Sequence, residues 1–242
     1  MSGGSLDYAP EDVPVREAAT VALVRDAAVG SGVEVFLQHR VGTMAFAAGA
    51  SVFPGGGVEP RDHAGTRPWR GPGPEWWAER FGVDPGRAAA AVRGVVRELF
   101  EETGVLLAEP AGDGPVRVPT VAERRALDAG DGDLDSMLGS HGLVLAAHLL
   151  RPWDRWTTPL GPRRRYDTLF FVAALPEGAV ADGGTTEARA TEWIRADEAA
   201  TAGTLGRLGM LRPTLATVSE LAAVGSIDEL LAIPRAVVGR GH

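Results

Sequence analysis

The 242-residue chain carries 24 basic and 32 acidic side chains, a formal charge of −8, and no cysteine. That excludes a disulfide framework, a thiol nucleophile, an iron–sulfur cluster and cysteine-ligated zinc, and the absence of lysine also removes the P-loop lysine, Schiff-base chemistry and lysine bases. An acidic chain lacks the basic field that non-specific nucleic-acid binding needs, and no apolar run approaches the roughly 18–20 residues of a membrane span, so neither nucleic acid nor membrane is an expected partner.

Residues 1–17 hold Asp7, Glu11 and Asp12 without the basic and apolar regions of a signal peptide. They read as a flexible tail before a single domain over 18–242, and a cytoplasmic protein is the expectation. Residues 19–24 and 33–38 are predicted strands joined by a turn at 30–32, and 50–53 a third. The Pro54-Gly55-Gly56-Gly57 run is expected to break regular structure, and residues 60–84, where prolines alternate with Trp69, Trp76 and Trp77, to be loop-like. Asp84-Pro85 is an N-cap followed by proline at the first helical position, and Gly104 a C-terminal stop, which predicts a helix between them. Thr120 to Glu123 is a capping box opening a second helix, and 134–138 suits a short third. Strands are predicted near 146–150, at 168–175 and at 188–194, the last after a loop over 176–186. Arg212-Pro213 and Ser226 open C-terminal helices. Strands and helices mix without strict βαβ alternation, which gives an α+β fold.

The chemistry concentrates in residues 97–105. On a helix at about 100° per residue, Glu98, Glu101 and Glu102 share an arc of roughly 100°. Glu98 and Glu102 repel at i,i+4, and all three lie at the negative end of the helix dipole, so each arrangement costs some tenths of a kcal/mol and calls for a compensating cation. Arg97 stands i,i+4 from Glu101 and can pair with it. The acids left over are oxygen ligands on a rigid face, a donor type that suits Mg²⁺ or Mn²⁺. A solvated acidic face is the competing reading. The glycine run at 55–57, which lets backbone approach a ligand, weighs towards the site.

Gly56 to Asp62 followed by Arg97 to Val105 resembles the Nudix box, G-x5-E-x7-R-E-U-x-E-E-x-G-U with U a bulky aliphatic residue. The second half matches at Arg97, Glu98, Leu99, Glu101, Glu102, Gly104 and Val105, with Phe53-Pro54-Gly55-Gly56 ahead of it. The strand pair before the box and Glu192-Trp193-Ile194 after it also suit Nudix domains. Two departures stand out: Asp62 replaces the first glutamate, and 35 positions separate Asp62 from Arg97 where the pattern has 8. A long insert here, with Phe-Pro-Gly-Gly before it and the 165–173 segment downstream, resembles the branch of the peroxisomal coenzyme A diphosphatase and its bacterial relatives.

The resemblance implies an α/β/α sandwich with a mixed β-sheet, an insert at about 62–86, an extra helical segment at about 119–140 and C-terminal helices at about 205–233. It implies a Mg²⁺- or Mn²⁺-dependent hydrolase that cleaves the diphosphate of a nucleoside diphosphate derivative. Coenzyme A or acyl-coenzyme A is the favoured substrate, giving 3′,5′-ADP and (acyl-)phosphopantetheine. An ADP-ribose or NADH pyrophosphatase and a non-catalytic nucleotide sensor are the alternatives. By carry-over Glu98, Glu101 and Glu102 hold metal, Gly56 offers its backbone carbonyl, and Arg97 orients a glutamate. The general base is a box glutamate or a downstream loop acid, for which Glu187 is the candidate. Dimers are common in the family, so a homodimer is an expectation.

Outside the box, Arg164 and Arg165, in the Arg163-Arg164-Arg165 run, are candidates for binding substrate phosphates such as a 3′-phosphate, against the reading of a charged surface turn. The tryptophans of 69–77 and Phe81 form either a lid or, as such aromatics more often do, packing of the insert onto the core. His39, His63, His141 and His148 have no metal-ligand spacing.

Overall fold

The computed structural model describes residues 13–40, 49–162, 164–184, 188–234, 237 and 240–241. Along the chain it runs β1 (Val15–Asp26), β2 (Val33–Arg40), β3 (Ser51–Val52), β4 (Gly55–Gly57), α1 (Pro60–Ala64), α2 (Pro74–Phe81) and α3 (Pro85–Thr103). There follow β5 (Ala108–Pro110), α4 (Val121–Asp128), α5 (Leu134–Ser140), β6 (Leu143–Leu145), β7 (Leu150–Thr157), β8 (Arg165–Ala174) and β9 (Ala188–Arg195). The chain closes with α6 (Ala196–Thr204), α7 (Arg212–Leu221), α8 (Ile227–Ala232) and β10 (Arg240–Gly241).

The main sheet has the order β10-β7-β8-β1-β2-β3, with β4 beside β1 and β9 beside β2. β1 is its axis: it runs parallel to β8, from Val15 opposite Arg165 to Val24 opposite Ala174, and antiparallel to β2 and β4. A strand covered on both faces reads as a nearly continuous apolar run, which is why residues 18–24 lack polar alternation. Val21, Leu23, Leu169 and Phe171 face a core shared with α2, α3, α4 and α5. Ala22, Val24, Phe170 and Val172 face a second core under α6, α7 and α8. The result is the expected α/β/α sandwich with a mixed sheet.

Several local expectations need correction. The tail ends earlier than residue 17, because β1 begins at Val15. Gly55–Gly57 does not break regular structure. It is a strand against Ala18–Thr20, and glycine is required for the fit, since a Cβ at Gly55 (φ 149°) would lie 2.5 Å from the Ala19 carbonyl oxygen. Residues 60–84 are not a loop but hold α1 and α2, and α2 starts at Pro74 and ends at Gly82 in the left-handed conformation. The strand expected at 146–150 lies further on, at 150–157. It carries a register irregularity between Pro152 and Asp154 and a polar, edge-like sequence that hides it. The C-terminal helical layer begins with α6, before residue 205.

Candidate active site

Helix α3 is set by its ends. Asp84 accepts a hydrogen bond from the Arg87 N–H, Pro85 occupies the first turn, and Gly104 (φ 75°) donates its N–H to the Phe100 carbonyl. The last two turns then bring Arg97, Glu98, Glu101 and Glu102 against β4 and α1.

Arg97 is the hub, and only 1% of it is exposed. Its Nε and one terminal nitrogen donate to the two oxygens of Asp62 at 3.0 Å each, and the same terminal nitrogen reaches the Gly57 carbonyl at 3.1 Å. The other terminal nitrogen donates to Glu101 at 2.7 Å and to Glu98 at 3.0 Å. Burial alone would lower the Arg97 pKa, but Asp62, Glu98 and Glu101 more than offset it, and the guanidinium stays charged. Asp62 is presented by α1, where it also accepts from the Glu59 N–H at 2.8 Å. The shorter acid and the long insert therefore leave the two halves of the motif joined by a fork of two charge-assisted hydrogen bonds.

The three glutamates divide. Glu101 faces a second cation, Arg61, at 3.3 Å, besides Arg97. Burial raises its pKa, and the two arginines oppose that rise. Glu102 accepts from the Gly55 N–H at 2.9 Å and from the Gln38 side chain at 3.2 Å, both at one carboxylate oxygen. Glu98 lies against β4 so closely that a Cβ at Gly56 would stand 2.5 Å from its Oε1. Burial pushes the Glu98 pKa up to about 7; Arg97 counters in part, and Glu101 adds to the rise.

Among the described residues no three carboxylate or histidine groups gather around one point as metal ligands, and Glu101 is directed at arginines. Two carboxylates one turn apart on α3 remain, beside a glycine strand whose missing side chain leaves a cradle over Glu98. Magnesium commonly takes one or two protein carboxylates, with water and substrate phosphate completing its shell, so Glu98 and Glu102 fit such an ion. The electrostatics agree, because Glu98 is half-buried with only a share of one arginine as counter-charge.

Of the remaining sequence candidates, Gly56 lies opposite Ala19 in β4. Arg165 opens β8 opposite Val15, its Nε donating to the Thr158 carbonyl at 3.2 Å, and Arg164 precedes it, exposed. β8 flanks β1 on the side away from β4, so these arginines start from the strand across β1 from the glycine strand. Glu187 and Arg163 lie outside the described residues. The insert's aromatic residues split: Trp77 and Phe81 are core, packed on Phe171 at ring-centroid distances of 5.6 and 4.9 Å, and Trp76 meets Trp77 edge-on. Sequence reasoning did not single out Gln38 or Arg61. Gln38 interrupts the apolar run of β2 as a polar residue, which is a readable signal; Arg61 is one of many arginines and had none.

No protein-family model matches the chain. A crystal structure of a Nudix hydrolase from Alicyclobacillus acidocaldarius superposes with a TM-score of 0.75 at 27% identity, covering 93% of this chain and 99% of that one. The chain is 29% identical over 240 residues to the human acyl-coenzyme A diphosphatase, covering 82% of this chain and 63% of that protein. It is 28% identical over 183 residues to the chicken acyl-coenzyme A diphosphatase, covering 59% of this chain and 48% of the relative. The chain thus spans less than two thirds of the length of these curated relatives. The fold is the Nudix fold, an α+β sandwich with the box strand and box helix against its mixed sheet. With its box residues in place on that fold, the chain is similar to the Nudix hydrolases, and among the curated relatives it resembles the coenzyme A diphosphatases.

Proposed function

We propose that the protein hydrolyses the diphosphate bond of a nucleoside diphosphate derivative with Mg²⁺ or Mn²⁺, and that coenzyme A or acyl-coenzyme A is its substrate, yielding 3′,5′-ADP and (acyl-)phosphopantetheine. The observation that carries the hydrolase reading is the pair Glu98 and Glu102, set beside the glycine strand by an Arg97 that Asp62 holds in a bidentate ion pair. A bound divalent cation supplies charge against the phosphate oxygens and lowers the pKa of water. The chain's own residues do the rest. Glu98 and Glu102 would hold the ion, with the Gly56 carbonyl as a further oxygen donor. Arg97 and Arg61, which oppose the burial-driven rise of the Glu101 pKa, fix that carboxylate one turn from the pair. Glu187, after the Asp182-Gly183-Gly184 loop, takes the proton of the attacking water.

The coenzyme A assignment draws support from the human and chicken relatives and from Arg164 and Arg165, whose guanidinium groups suit a 3′-phosphate. The test is product release from coenzyme A, acetyl-coenzyme A, ADP-ribose and NADH with Mg²⁺ or Mn²⁺, for wild type and Glu102→Gln. Turnover of the coenzyme A compounds, lost by a factor of about 10² or more in the variant, is expected. Preference for ADP-ribose or NADH removes the coenzyme A reading, and binding without turnover makes the protein a sensor. Glu187→Gln with a rate within a few-fold of wild type removes Glu187 from the mechanism.

A further inference from the structure

The last carbonyls of a helix lack partners within it, and at α3 they sit beside the acids of the site. They are answered from two directions. Arg124 of α4, 8% exposed, donates its Nε to the Glu101 carbonyl at 3.0 Å. Its two terminal nitrogens fork onto the carboxylate of Asp182, in the loop after β8, at 2.8 and 2.9 Å. Asp182 in turn donates its backbone N–H to the Thr103 carbonyl at 2.9 Å and accepts from the Gly184 N–H at 2.9 Å.

The spacing leaves little slack. A Cβ at Gly104 would lie 2.9 Å from an Arg124 nitrogen, and one at Gly183 would lie 2.7 Å from the Thr191 hydroxyl. Thr191 is the register partner of Gln38, whose side chain donates to Glu102. Arg124 therefore holds the end of α3 through the Glu101 backbone on one side, and on the other a loop that lies close to Thr191 of β9, the strand paired with β2 at Gln38. The hydrogen bonds from Arg124 also hold the Asp182 carboxyl below its usual range, although burial opposes them.

We infer that Arg124 is a positioning residue, through which α4 fixes the end of the box helix and the loop after β8 in one arrangement and so sets Glu102 for its metal. The inference rests on the hydrolase reading for its consequence in catalysis, but its geometry can be read without turnover. Lysine does not replace Arg124, because a single ammonium cannot fork onto Asp182 while also reaching the Glu101 carbonyl.

The experiment compares wild type, Arg124→Gln, Arg124→Lys and Asp182→Asn by amide hydrogen exchange and by Mn²⁺ binding followed by electron paramagnetic resonance. In both Arg124 variants the Asp182 and Gly184 amides exchange about tenfold faster or more while β1 amides keep their protection, and Mn²⁺ affinity falls about tenfold. Asp182→Asn loosens the same amides with a smaller loss of Mn²⁺ affinity. Exchange and affinity within about twofold of wild type in Arg124→Gln would overturn the inference. If that variant loses β1 protection as well, Asp182→Asn decides, and unchanged exchange at Gly184 there overturns it. A wild-type protein that turns over no diphosphate defeats the hydrolase reading alone, because the exchange at 182–184 still tests the role of Arg124.

Discussion

Helix α3 and the segment over 60–84 lie against the same face of the sheet, and they are built on opposite principles. The end of α3 is an electrostatic structure, in which one buried arginine is shared among three acids from two elements and a second cation, Arg61, shares Glu101. The segment before it is mostly a packing structure: α2 drives Trp77 and Phe81 into the core against Phe171, and Arg155 ties its end to the sheet through the Phe81 and Gly82 carbonyls. The difference shows why a box can be split by a long insert. Its halves are joined by side-chain charges, while the insert brings its own apolar anchor.

The largest test of that contrast is Trp77→Ala, which removes a 0% exposed indole and should cost about 3–5 kcal/mol in urea unfolding. A variant of unchanged stability with a raised KM would instead make the insert a lid. Asp62→Ala strikes the other region. It takes the bidentate partner from a buried Arg97, with an expected cost of about 3 kcal/mol and loss of activity, both measured on the same preparation. Retained activity would mean that Glu101 alone orients Arg97.

A pH titration separates the seam between the regions. Asp167 is bound by Arg155 at 2.7 Å and Arg87 at 2.9 Å; burial would raise its pKa, but these hydrogen bonds hold it down at about 2. A depressed acid contributes stability above its unfolded pKa, near 4, and the contribution is lost as pH falls through about 2. The loss is about 2 kcal/mol, seen as acid destabilisation that Asp167→Asn should flatten over that window. The smallest effect is expected at the start of α3, where Asp84→Ala removes the cap bond to Arg87 and should lower stability by about 1 kcal/mol with the site intact.

Legibility in the sequence follows the same division. Asp84-Pro85, Gly104 and the i,i+4 pair of Arg97 with Glu101 act within a few residues, so the helix, its ends and that ion pair could all be read directly. The insert carries the same signals in Pro74 and Gly82, but the surrounding prolines mask them, and the segment reads as loop. Gly55–Gly57 carries no strand propensity, and its strand is imposed by the close approach to Ala19, a contact between residues far apart in sequence. Gln38 on Glu102, Arg61 on Glu101 and Arg124 on the end of α3 span 64, 40 and 23 positions. No periodicity encodes such pairs. Helices α6 and α4 differ for a related reason: α4 declares itself by a capping box, whereas α6 begins at Ala196 after an N-cap, Arg195, that makes no side-chain cap hydrogen bond.

The parallel pairing of β1 with β8 bears on how the chain assembles. Val15 meets Arg165 and Val24 meets Ala174, so the central ladder joins segments separated by most of the protein. Closing so long a stretch is entropically slow, and folding rates fall as such distant contacts come to dominate. During synthesis, β1 with β2 and β4 leaves the ribosome long before its parallel neighbour does. One hydrogen-bonding edge of the central strand stays unpaired until β8 is made, and throughout that interval the nascent chain depends on shielding from aggregation.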